Sequence, residues 1–421
     1  MHHFQYKNNE LFCEDVPVTK IAQSVGTPFY LYSEATLTRH FKAFDSAFDG
    51  TDHLTCFAVK ACSNIAILHL FSRLGGGADI VSGGELFRAV TAGVPADRII
   101  YSGVGKTGAE LKQALEAGIL MFNVESPQEL DRLQKTAVEL GKVAPVAFRV
   151  NPDVDPQTHA YISTGLAKNK FGIPVEDALQ QYIRARDMEG IDLRGVSCHI
   201  GSQLTQIAPF IEALRKLKDF VGCLEKEGIS ISYLDLGGGV GITYADEQPP
   251  HPHDYAKAIR EELGDMSCVL ILEPGRVISG NAGILVTEVQ YTKVNTGGEQ
   301  DKHFVIVDAA MNDLTRPSLY GAYHEIYPVT PVEGERQVVD IVGPICETGD
   351  FMARDRSLNR VRQGDLLAIM SSGAYGFTMS SNYNSRPRAA EVIVRGDKFS
   401  VIRARETFED LVRGEILLEK D

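Results

Sequence analysis

The sequence predicts an α/β fold, a (β/α)8 TIM-type barrel followed by a C-terminal, mainly antiparallel β domain. Eight short apolar runs rich in Val, Ile and Leu alternate with amphipathic stretches between Leu54 and Arg276. Uninterrupted apolar runs are typical of parallel strands that are buried on both faces. After Gly283 apolar and polar residues alternate, which indicates antiparallel strands with one solvent-facing side. A length of 421 residues suits two domains.

The barrel strands and the helices between them follow one another along the chain. Leu130, Leu133, Ala137 and Leu140 show the 3.6-residue period of an amphipathic helix. The predicted helices include Gly84–Ala92, Gly108–Ala117, Pro127–Leu140 and Pro209–Glu227. The eight predicted strands are Leu54–Lys60, Ala78–Ser82, Arg98–Gly103, Met121–Glu125, Pro145–Asn151, Leu193–Gly201, Ile231–Gly239 and Cys268–Arg276.

A second domain is predicted from residues 283–421 together with residues 1–29, and it leaves residues 30–282 for the barrel. We expect it to be a β-sandwich or barrel-like domain. Gly396 and Asp397 lie between two apolar runs, which is a hairpin signal. Its predicted strands are Ile284–Val294, His303–Ala310, Gln337–Cys346, Asp365–Ser371 and the hairpin Glu391–Arg403.

Composition excludes several classes of partner and site. The formal net charge of −14 argues against nucleic acid or an anionic membrane surface as a partner. No run approaches the roughly 20 apolar residues of a membrane span, and the first residues lack the order of a signal peptide. The seven cysteines are odd in number and scattered, without a C-x-x-C pair. They indicate reduced thiols in a cytoplasmic protein, with neither a disulfide framework nor a metal site.

Chemistry-bearing side chains stand at the predicted strand ends. In barrels of this kind the active site lies at the carboxyl ends of the strands. An amine, an imidazole, carboxylates, arginine and a glycine loop there predict a site for a phosphate-bearing, electrophilic cofactor. The residues are Lys60, Asp79 with Ser82, Ser102, Glu125, Arg149 with Asn151, His199 with Ser202, Gly237-Gly238-Gly239, and Glu273 with Arg276.

Each of these residues also has a structural interpretation. Desolvation would make Lys60 a neutral amine able to form a Schiff base, but a strand-end lysine can also reach out to water. Glu273 could pair with Arg276, or it could face a protonated pyridine nitrogen and keep the ring cationic. His199 could be a core histidine or could stack on a flat cofactor. The glycines of Gly237–Gly239 let backbone N–H groups close on a phosphate, although a tight turn would need them equally.

Seven motifs in combination resemble the pyridoxal-phosphate-dependent decarboxylases built on an alanine-racemase-like barrel. The resemblance covers nearly the whole chain. Thr348 stands where serine is common in its motif, but a hydroxyl remains and we expect little change. The motifs are Phe57–Ala61, His199–Gln203, Gly237–Gly239, Glu273–Arg276, Asp313–Tyr320, Gly343–Asp350 and Gly373–Gly376.

The resemblance implies that the chain binds pyridoxal 5'-phosphate. Lys60 would hold the cofactor covalently, His199 would stack on its ring and act in catalysis, and Glu273 would face the pyridine nitrogen. Asp79 would help to orient the ring through its neighbours. The implied phosphate ligands are Ser202, Gly238, Gly239 and Tyr375.

The resemblance also implies a substrate pocket and a homodimer. Cys346 and Glu347 would reach in from the other subunit, the cysteine to reprotonate the α-carbon and the glutamate to bind the distal amine. Taken alone, Cys346 could be a small buried strand residue, and the two arginines could be surface charges. A pair of arginines suits a carboxylate, because each offers a bidentate fork. The residues that would hold the distal part of the substrate are Arg276, Arg316, Tyr320 and Tyr375, together with Glu347.

The activity implied is decarboxylation of meso-2,6-diaminopimelate to L-lysine and CO2, the last step of lysine biosynthesis. The alternative is a decarboxylase of ornithine, arginine or a carboxylated polyamine, but a purely cationic tail would favour an acidic pocket without paired arginines. A racemase on the same barrel would place arginine at the pyridine nitrogen, where this chain offers Glu273. A cofactor carrier or pseudo-enzyme would lack the second domain or one of Lys60 and Cys346.

Overall fold

The computed structural model describes residues 2–155, 169–296 and 301–418. It divides into two units, each with its own sheet. The barrel unit is Thr38–Ile278, and the β unit is Met1–Leu37 with Ser279–Asp421. Within the described residues, no helix combines the length and the apolar character that crossing a membrane requires.

Eight parallel strands close on themselves in the barrel unit, which confirms the predicted (β/α)8 barrel. Each strand pairs in parallel with its neighbours, and the eighth strand returns to the first through Leu270 opposite His53. A short strand, Ile173–Pro174, adds to the fifth barrel strand. The barrel strands are His53–Ala58, Gly77–Ile80, Ile99–Tyr101, Met121–Val124, Ala144–Asn151, Ile191–Ser197, Tyr233–Asp235 and Val269–Leu272.

The barrel helices begin where the sequence supplies a cap. Ser82, Thr107 and Ser126 each accept a backbone N–H from the third residue of the helix that follows, which satisfies one of the donors that a helix start leaves open. Gly118 ends one of these helices in the left-handed conformation. The helices are Glu34–Asp45, Ile65–Arg73, Gly83–Thr91, Gly108–Ala117, Pro127–Glu139, Val175–Arg186, Ala208–Lys226, Pro252–Leu263 and Arg276–Ser279.

Several barrel strands end earlier than the sequence predicts. The first ends at Ala58 and the eighth at Leu272, so Lys60 lies in a 3-10 turn and Glu273 in a loop. The strands end there because the backbone hydrogen bonds no longer follow the regular pairing between strands. For example, the N–H of Ala58 donates to Pro274 O, beyond the end of the eighth strand, at 3.1 Å. Lys60 and Glu273 therefore stand on loops that rigid strands support, whereas Asp79 and Arg149 lie within the strands Gly77–Ile80 and Ala144–Asn151.

The β unit is built on a mainly antiparallel sheet with two parallel pairings. Phe29–Ser33 lies inside this sheet, antiparallel to Gly283–Asn295 and parallel to Ala390–Arg395, and all five of its residues are buried. The predicted boundary placed residues 30–37 in the barrel, whereas they belong to the β unit. A short, fully buried strand looks the same in either sheet, so its sequence could not decide between them.

The sequence analysis did not predict five of the remaining strands that the described residues of the β unit form, namely the three before residue 18 together with Ile326–Pro328 and Phe351–Asn359. The predicted hairpin is confirmed, with Arg395 opposite Lys398. The helices of this unit are Val18–Val25, Arg316–Tyr320 and Phe408–Leu411. The other strands are Phe4–Lys7, Glu10–Cys13, Val16–Pro17, Lys302–Val307, Arg336–Val342, Leu366–Ile369 and Lys398–Arg403.

Candidate active site

The carboxyl ends of the barrel strands surround a cavity of about 170 Å³. Its walls carry an amine, an imidazole, a guanidinium and a carboxylate, which is the set of groups that the strand ends predicted. Among the described residues no group of acidic, histidine and cysteine side chains is arranged to hold a metal ion. The lining includes Lys60, Ser102, Asn123, Arg149, His199 and Glu273.

Lys60 is held by an ion pair with Asp79. The Lys60 Nζ atom lies 2.5 Å from Asp79 Oδ2, and the Lys60 side chain is 33% exposed while Asp79 is fully buried. The sequence analysis expected desolvation to make this amine neutral. That expectation is too simple, because the amine reaches the open cavity and has a carboxylate partner. Asp79 therefore fixes the position of the amine. The sequence analysis had assigned Asp79 only to the orientation of the cofactor ring and had not paired it with Lys60.

His199 is oriented by the glycine loop that follows the seventh strand. The N–H of Gly238 donates to His199 Nδ1 at 3.1 Å, so the ring proton of the neutral imidazole is carried by Nε2. Burial lowers the pKa of His199 well below its ordinary value, and the nearby positive charges of Arg149 and Lys60 lower it further. The imidazole is thus neutral at physiological pH, which suits a ring that lies beside a flat cofactor.

The triple glycine is required by close packing of the backbone. Gly237 and Gly239 have φ values of +66° and +118°, which side-chain-bearing residues rarely adopt. A Cβ atom on Gly238 would lie 2.1 Å from Glu273 O, and one on Gly239 would lie 2.5 Å from Gly201 O. The loop is therefore more than a turn. Its close contacts hold the ends of the sixth, seventh and eighth strands together, and the loop itself lies at the mouth of the barrel.

Glu273 belongs to a cluster of buried carboxyl groups. Ser102 Oγ donates to Glu273 Oε1 at 3.3 Å, which ties this carboxyl group to the end of the third barrel strand. Burial raises the pKa of Glu273 well above its ordinary value, and the neighbouring Asp235 and Asp79 raise it further. Burial likewise raises the pKa of Asp235 to about 6. Two carboxyl groups in contact can share a proton, so Glu273 is able to hold one.

Sequence reasoning missed two residues of this cluster. Asn123 Nδ2 donates to Asp235 Oδ2 at 2.7 Å and to Ser102 Oγ at 3.1 Å, so one amide ties three strands together. Asn123 and Asp235 lie within predicted strands and were counted as parts of buried runs. A polar side chain inside a fully buried strand needs a partner, and that is the signal that could have found them.

Glu125 and Arg149, which the sequence placed at strand ends without a role, form a second support. Arg149 Nη1 lies 3.0 Å from Glu125 Oε1, and both side chains are at least nine-tenths buried. Arg149 Nη2 also donates to His199 O at 3.4 Å, and its guanidinium lies 4.8 Å from the ring centroid of Phe171. The pair therefore supports the backbone that carries His199.

Ser202 and Arg276 lie together at the other side of the glycine loop. Arg276 Nη2 donates to Ser202 Oγ at 3.1 Å, and Arg276 Nη1 donates to Tyr244 Oη at 2.6 Å. Arg276 is only 6% exposed, so it is not the surface charge that the structural interpretation allowed. Tyr244 is a further residue that the sequence analysis did not single out.

The β unit carries the other predicted site residues. Arg316 begins the helix Arg316–Tyr320 and is buried, with its Nη1 atom 3.0 Å from His324 Nε2. Tyr320 ends that helix and is half-buried. Tyr375 adopts a φ of +55°, an uncommon conformation for a residue with a side chain. Arg316 is thus also no surface charge, and it is placed by a short helix that the sequence analysis did not predict.

Cys346 and Glu347 lie in a turn beyond the strand Arg336–Val342, and both are exposed. The predicted strand Gln337–Cys346 is too long, because the buried Asp350 carboxylate accepts the N–H of Ile345 at 2.7 Å and folds the chain into a turn. The turn is held by neighbours: Cys346 N–H donates to Asn384 Oδ1 at 2.9 Å, and Tyr383 Oη donates to Glu347 Oε2 at 2.8 Å. Cys346 is therefore not the buried strand residue of the structural interpretation.

Comparison with known proteins identifies the family. Residues 34–280 match the family described as "Pyridoxal-dependent decarboxylase, pyridoxal binding domain". The chain is 52% identical over 418 residues to the diaminopimelate decarboxylase of Pseudomonas aeruginosa, an alignment that covers 99% of this chain and 100% of that one. This chain belongs to the diaminopimelate decarboxylase family.

Solved structures of diaminopimelate decarboxylases have the same fold. The enzyme from M. jannaschii, solved in complex with L-lysine, superposes with a TM-score of 0.92 at 42% identity and covers 99% of each chain. The enzyme from Helicobacter pylori, also solved with L-lysine, gives a TM-score of 0.90 at 44% identity and covers 94% of this chain and 98% of that one. The similarity therefore includes both the barrel and the second domain.

The barrel site fits the pyridoxal phosphate on which a pyridoxal-dependent decarboxylase relies. Ser197 Oγ and Asp79 Oδ1 are buried and have no hydrogen-bond partner among the described residues, so the site has polar groups to spare. Lys60 offers an amine for an aldehyde, and Glu273 offers a carboxyl group for a ring nitrogen. These groups match two of the three polar ends of that cofactor. On the glycine loop, the N–H groups of Gly237 and Gly238 already donate to Asp235 Oδ1 and His199 Nδ1.

Proposed function

We propose that this chain removes one carboxylate from meso-2,6-diaminopimelate, releasing CO2 and leaving L-lysine, in the last step of lysine biosynthesis. The observation that carries the proposal is the arrangement of Lys60, His199 and Glu273 around one cavity of the barrel unit. Pyridoxal 5'-phosphate, when bound there, supplies an electron-poor ring that accepts the electron pair left by the departing carboxylate.

The barrel residues hold the cofactor and control its protonation. Lys60 would attach at the aldehyde carbon, with Asp79 keeping the amine in place. Ser202, Gly238 and Gly239 would bind the phosphate, with Tyr375 of the β unit. His199 offers a neutral face to the ring. Glu273 would hold a proton at the ring nitrogen, because burial and Asp235 give its carboxyl group a raised pKa.

The substrate is recognised at its non-reacting end. The carboxylate that stays in the product would be bound by Arg276, Arg316, Tyr320 and Tyr375. Because both arginines are buried, their positive charges are partly desolvated and attract a carboxylate more strongly than exposed arginines would. Glu347 would bind the amine at the same end. A tail that carries both a carboxylate and an amine needs groups of both signs, which distinguishes diaminopimelate from ornithine or arginine.

The working form is a homodimer in which Cys346 and Glu347 serve the barrel of a second copy. Two observations support this proposal: both residues are exposed, and their turn is nevertheless held in one conformation by Asp350, Asn384 and Tyr383. An exposed turn of this kind, which bears a thiol and a carboxylate, is suited to contributing both groups to the active site of a second copy. The Cys346 Sγ atom would then deliver a proton to the α-carbon.

The cytoplasm is the proposed location. All seven cysteines are free thiols, and four of them are buried, as expected where the surroundings are reducing. A biosynthetic step that makes a free amino acid also belongs in that compartment.

Release of CO2 from a panel of amino acids tests the function. We expect the purified enzyme with pyridoxal phosphate to decarboxylate meso-diaminopimelate and to leave ornithine, arginine and lysine almost untouched. Lys60→Ala should lower kcat by at least about 10³-fold, because the nucleophilic amine is lost. A preference for ornithine, arginine or lysine, or near wild-type turnover by Lys60→Ala, would contradict the proposal.

A further inference from the structure

Two neutral hydroxyl groups accept hydrogen bonds from the Arg276 guanidinium. Its Nη1 atom donates to Tyr244 Oη at 2.6 Å and its Nη2 atom donates to Ser202 Oγ at 3.1 Å. Its guanidinium carbon also lies 5.8 Å from the ring centroid of Tyr244. Hydroxyl acceptors direct a guanidinium without cancelling its charge, so these contacts orient Arg276 and preserve its attraction for a carboxylate.

The two acceptors stand on loops that are tied together. Gln203 has a φ of +60°, and its side-chain amide faces Ile242. Gln203 Nε2 donates to Ile242 O at 2.6 Å, while Ile242 N–H donates to Gln203 Oε1 at 3.1 Å. Because Ser202 precedes Gln203 and Tyr244 lies two residues after Ile242, this reciprocal pair fixes both acceptors relative to each other.

Tyr244 is itself held by the turn in which it lies. The N–H groups of Tyr244 and Ala245 donate to Glu247 Oε2 at 2.9 and 2.7 Å, and Thr243 Oγ1 donates to Glu247 O at 2.8 Å. The Tyr244 side chain is only 8% exposed. Glu247 therefore anchors the tyrosine that contacts Arg276.

We propose that Tyr244 is a positioning residue for substrate recognition: its hydroxyl holds the Arg276 guanidinium in the orientation that receives the carboxylate retained in the product. The inference rests on the proposed function, which assigns that carboxylate to Arg276. Tyr244 acts through Arg276 and takes no part in the bond-breaking step. Its loss should therefore weaken binding of a carboxylate-bearing ligand and leave the rate of the bound complex nearly unchanged.

Two small molecules separate recognition of the substrate's retained carboxylate from recognition of the rest of the substrate. L-lysine keeps the carboxylate and amine of the non-reacting end, because decarboxylation removes only the other carboxylate. 1,5-Diaminopentane has the same carbon chain and both amines, but neither carboxylate. The ratio of their dissociation constants, measured by calorimetry on the holoenzyme, therefore reports carboxylate recognition without turnover.

The Tyr244→Phe variant removes one oxygen and keeps the ring. We expect its Kd for L-lysine to rise about tenfold, the effect of losing one hydrogen bond to a charged group, while its Kd for 1,5-diaminopentane changes less than about twofold. With meso-diaminopimelate, KM should rise by a similar factor while kcat stays within about threefold. Tyr291→Phe, at an exposed strand position of the β unit, is the matched control and should behave as the wild type.

The outcomes distinguish this inference from the proposed function. Unchanged L-lysine affinity in Tyr244→Phe, or equal weakening of both ligands, would overturn the role of Tyr244. Arg276→Gln should weaken L-lysine at least as strongly as Tyr244→Phe and again spare 1,5-diaminopentane. If Arg276→Gln left L-lysine binding unchanged, the assignment of the carboxylate to Arg276 would itself be wrong. Cofactor absorbance and thermal melting show that each variant is folded and loaded.

Discussion

The barrel mouth and the turn that carries Cys346 use opposite strategies to hold reactive groups. At the barrel mouth Asp79, Asp235 and Glu273 are buried, and each is tied to side chains from other strands. In the β unit Cys346 and Glu347 are exposed, and they accept or donate hydrogen bonds with Tyr383 and Asn384 of the short 3-10 helix Tyr383–Ser385. Burial raises the pKa of Asp235 and of Glu273, whereas Cys346 and Glu347 are exposed in one copy of the chain.

The difference teaches where each group's reactivity originates. The barrel groups are tuned by their own fold, because desolvation and neighbouring charges act on them already in a single chain. The exposed pair has only its geometry fixed in advance. Its environment has to come from whatever surface covers it, which is the physical argument for placing it at the barrel of a second copy. Mutations in the two regions should accordingly behave differently.

The largest effect within this comparison is expected at Glu273. Glu273→Gln keeps the shape and the contact with Ser102 but cannot hold a proton at the ring nitrogen. We expect kcat to fall by about 10²- to 10³-fold in steady-state assays of CO2 release, in the range of general acid–base effects.

Ser102→Ala is the control for that experiment. It removes the donor at 3.3 Å from Glu273 and leaves the carboxyl group in place, so kcat should remain within about tenfold of the wild type. If Glu273→Gln kept more than a tenth of wild-type kcat, Glu273 would be a structural residue, and the idea that burial tunes the barrel carboxyl groups for catalysis would fail.

The barrel could be predicted from sequence because its pattern is local. Each buried strand is a short apolar run, and each helix has a 3.6-residue period and a cap such as Ser82, Thr107 or Ser126. Strand ends could then be counted, and the residues there lie at one mouth. The network that ties them together could not be predicted, because the contacts of Asn123 with Asp235 join residues far apart in the chain.

The β unit was harder to predict for a physical reason. Its strand Phe29–Ser33 is separated by some 250 residues of barrel from its partner Gly283–Asn295, and nothing local marks that pairing. The turn at Cys346 was predicted as strand because the carboxylate of Asp350, which ends the ladder, acts through backbone N–H groups. The motif resemblance singled out Cys346 and Glu347 but could not supply their exposure.

A mixing experiment gives an intermediate effect and tests whether the exposed pair serves another copy. Lys60→Ala and Cys346→Ala homodimers should each be nearly inactive. After equal amounts are unfolded and refolded together, half of the dimers carry one chain of each kind. If sites are shared, each such dimer has one site with both Lys60 and Cys346, and about a quarter of wild-type activity should return.

The result of mixing has a sharp alternative. If Cys346 acts at the barrel of its own chain, every site in every mixed dimer lacks one of the two groups, and no activity returns. The control is the mixture of Lys60→Ala with Glu273→Gln. Both of these residues lie in the barrel unit, so each barrel of a mixed dimer lacks one of the two groups. No activity above that of the parents should therefore appear.

The smallest effect is expected at Tyr383, whose hydroxyl donates to Glu347 Oε2 at 2.8 Å from an exposed position. Tyr383→Phe removes that hydrogen bond, and solvent can replace part of it, so we expect KM for meso-diaminopimelate to rise only about two- to fivefold while kcat stays nearly constant. The control is Tyr327→Phe, at an exposed strand position of the β unit, which should change neither KM nor kcat. A fall in kcat without a change in KM would mean that the turn positions Cys346 more than Glu347. A loss as large as that of Glu273→Gln would mean that the exposed turn is as finely tuned as the barrel mouth, and the expected contrast between the two regions would be wrong.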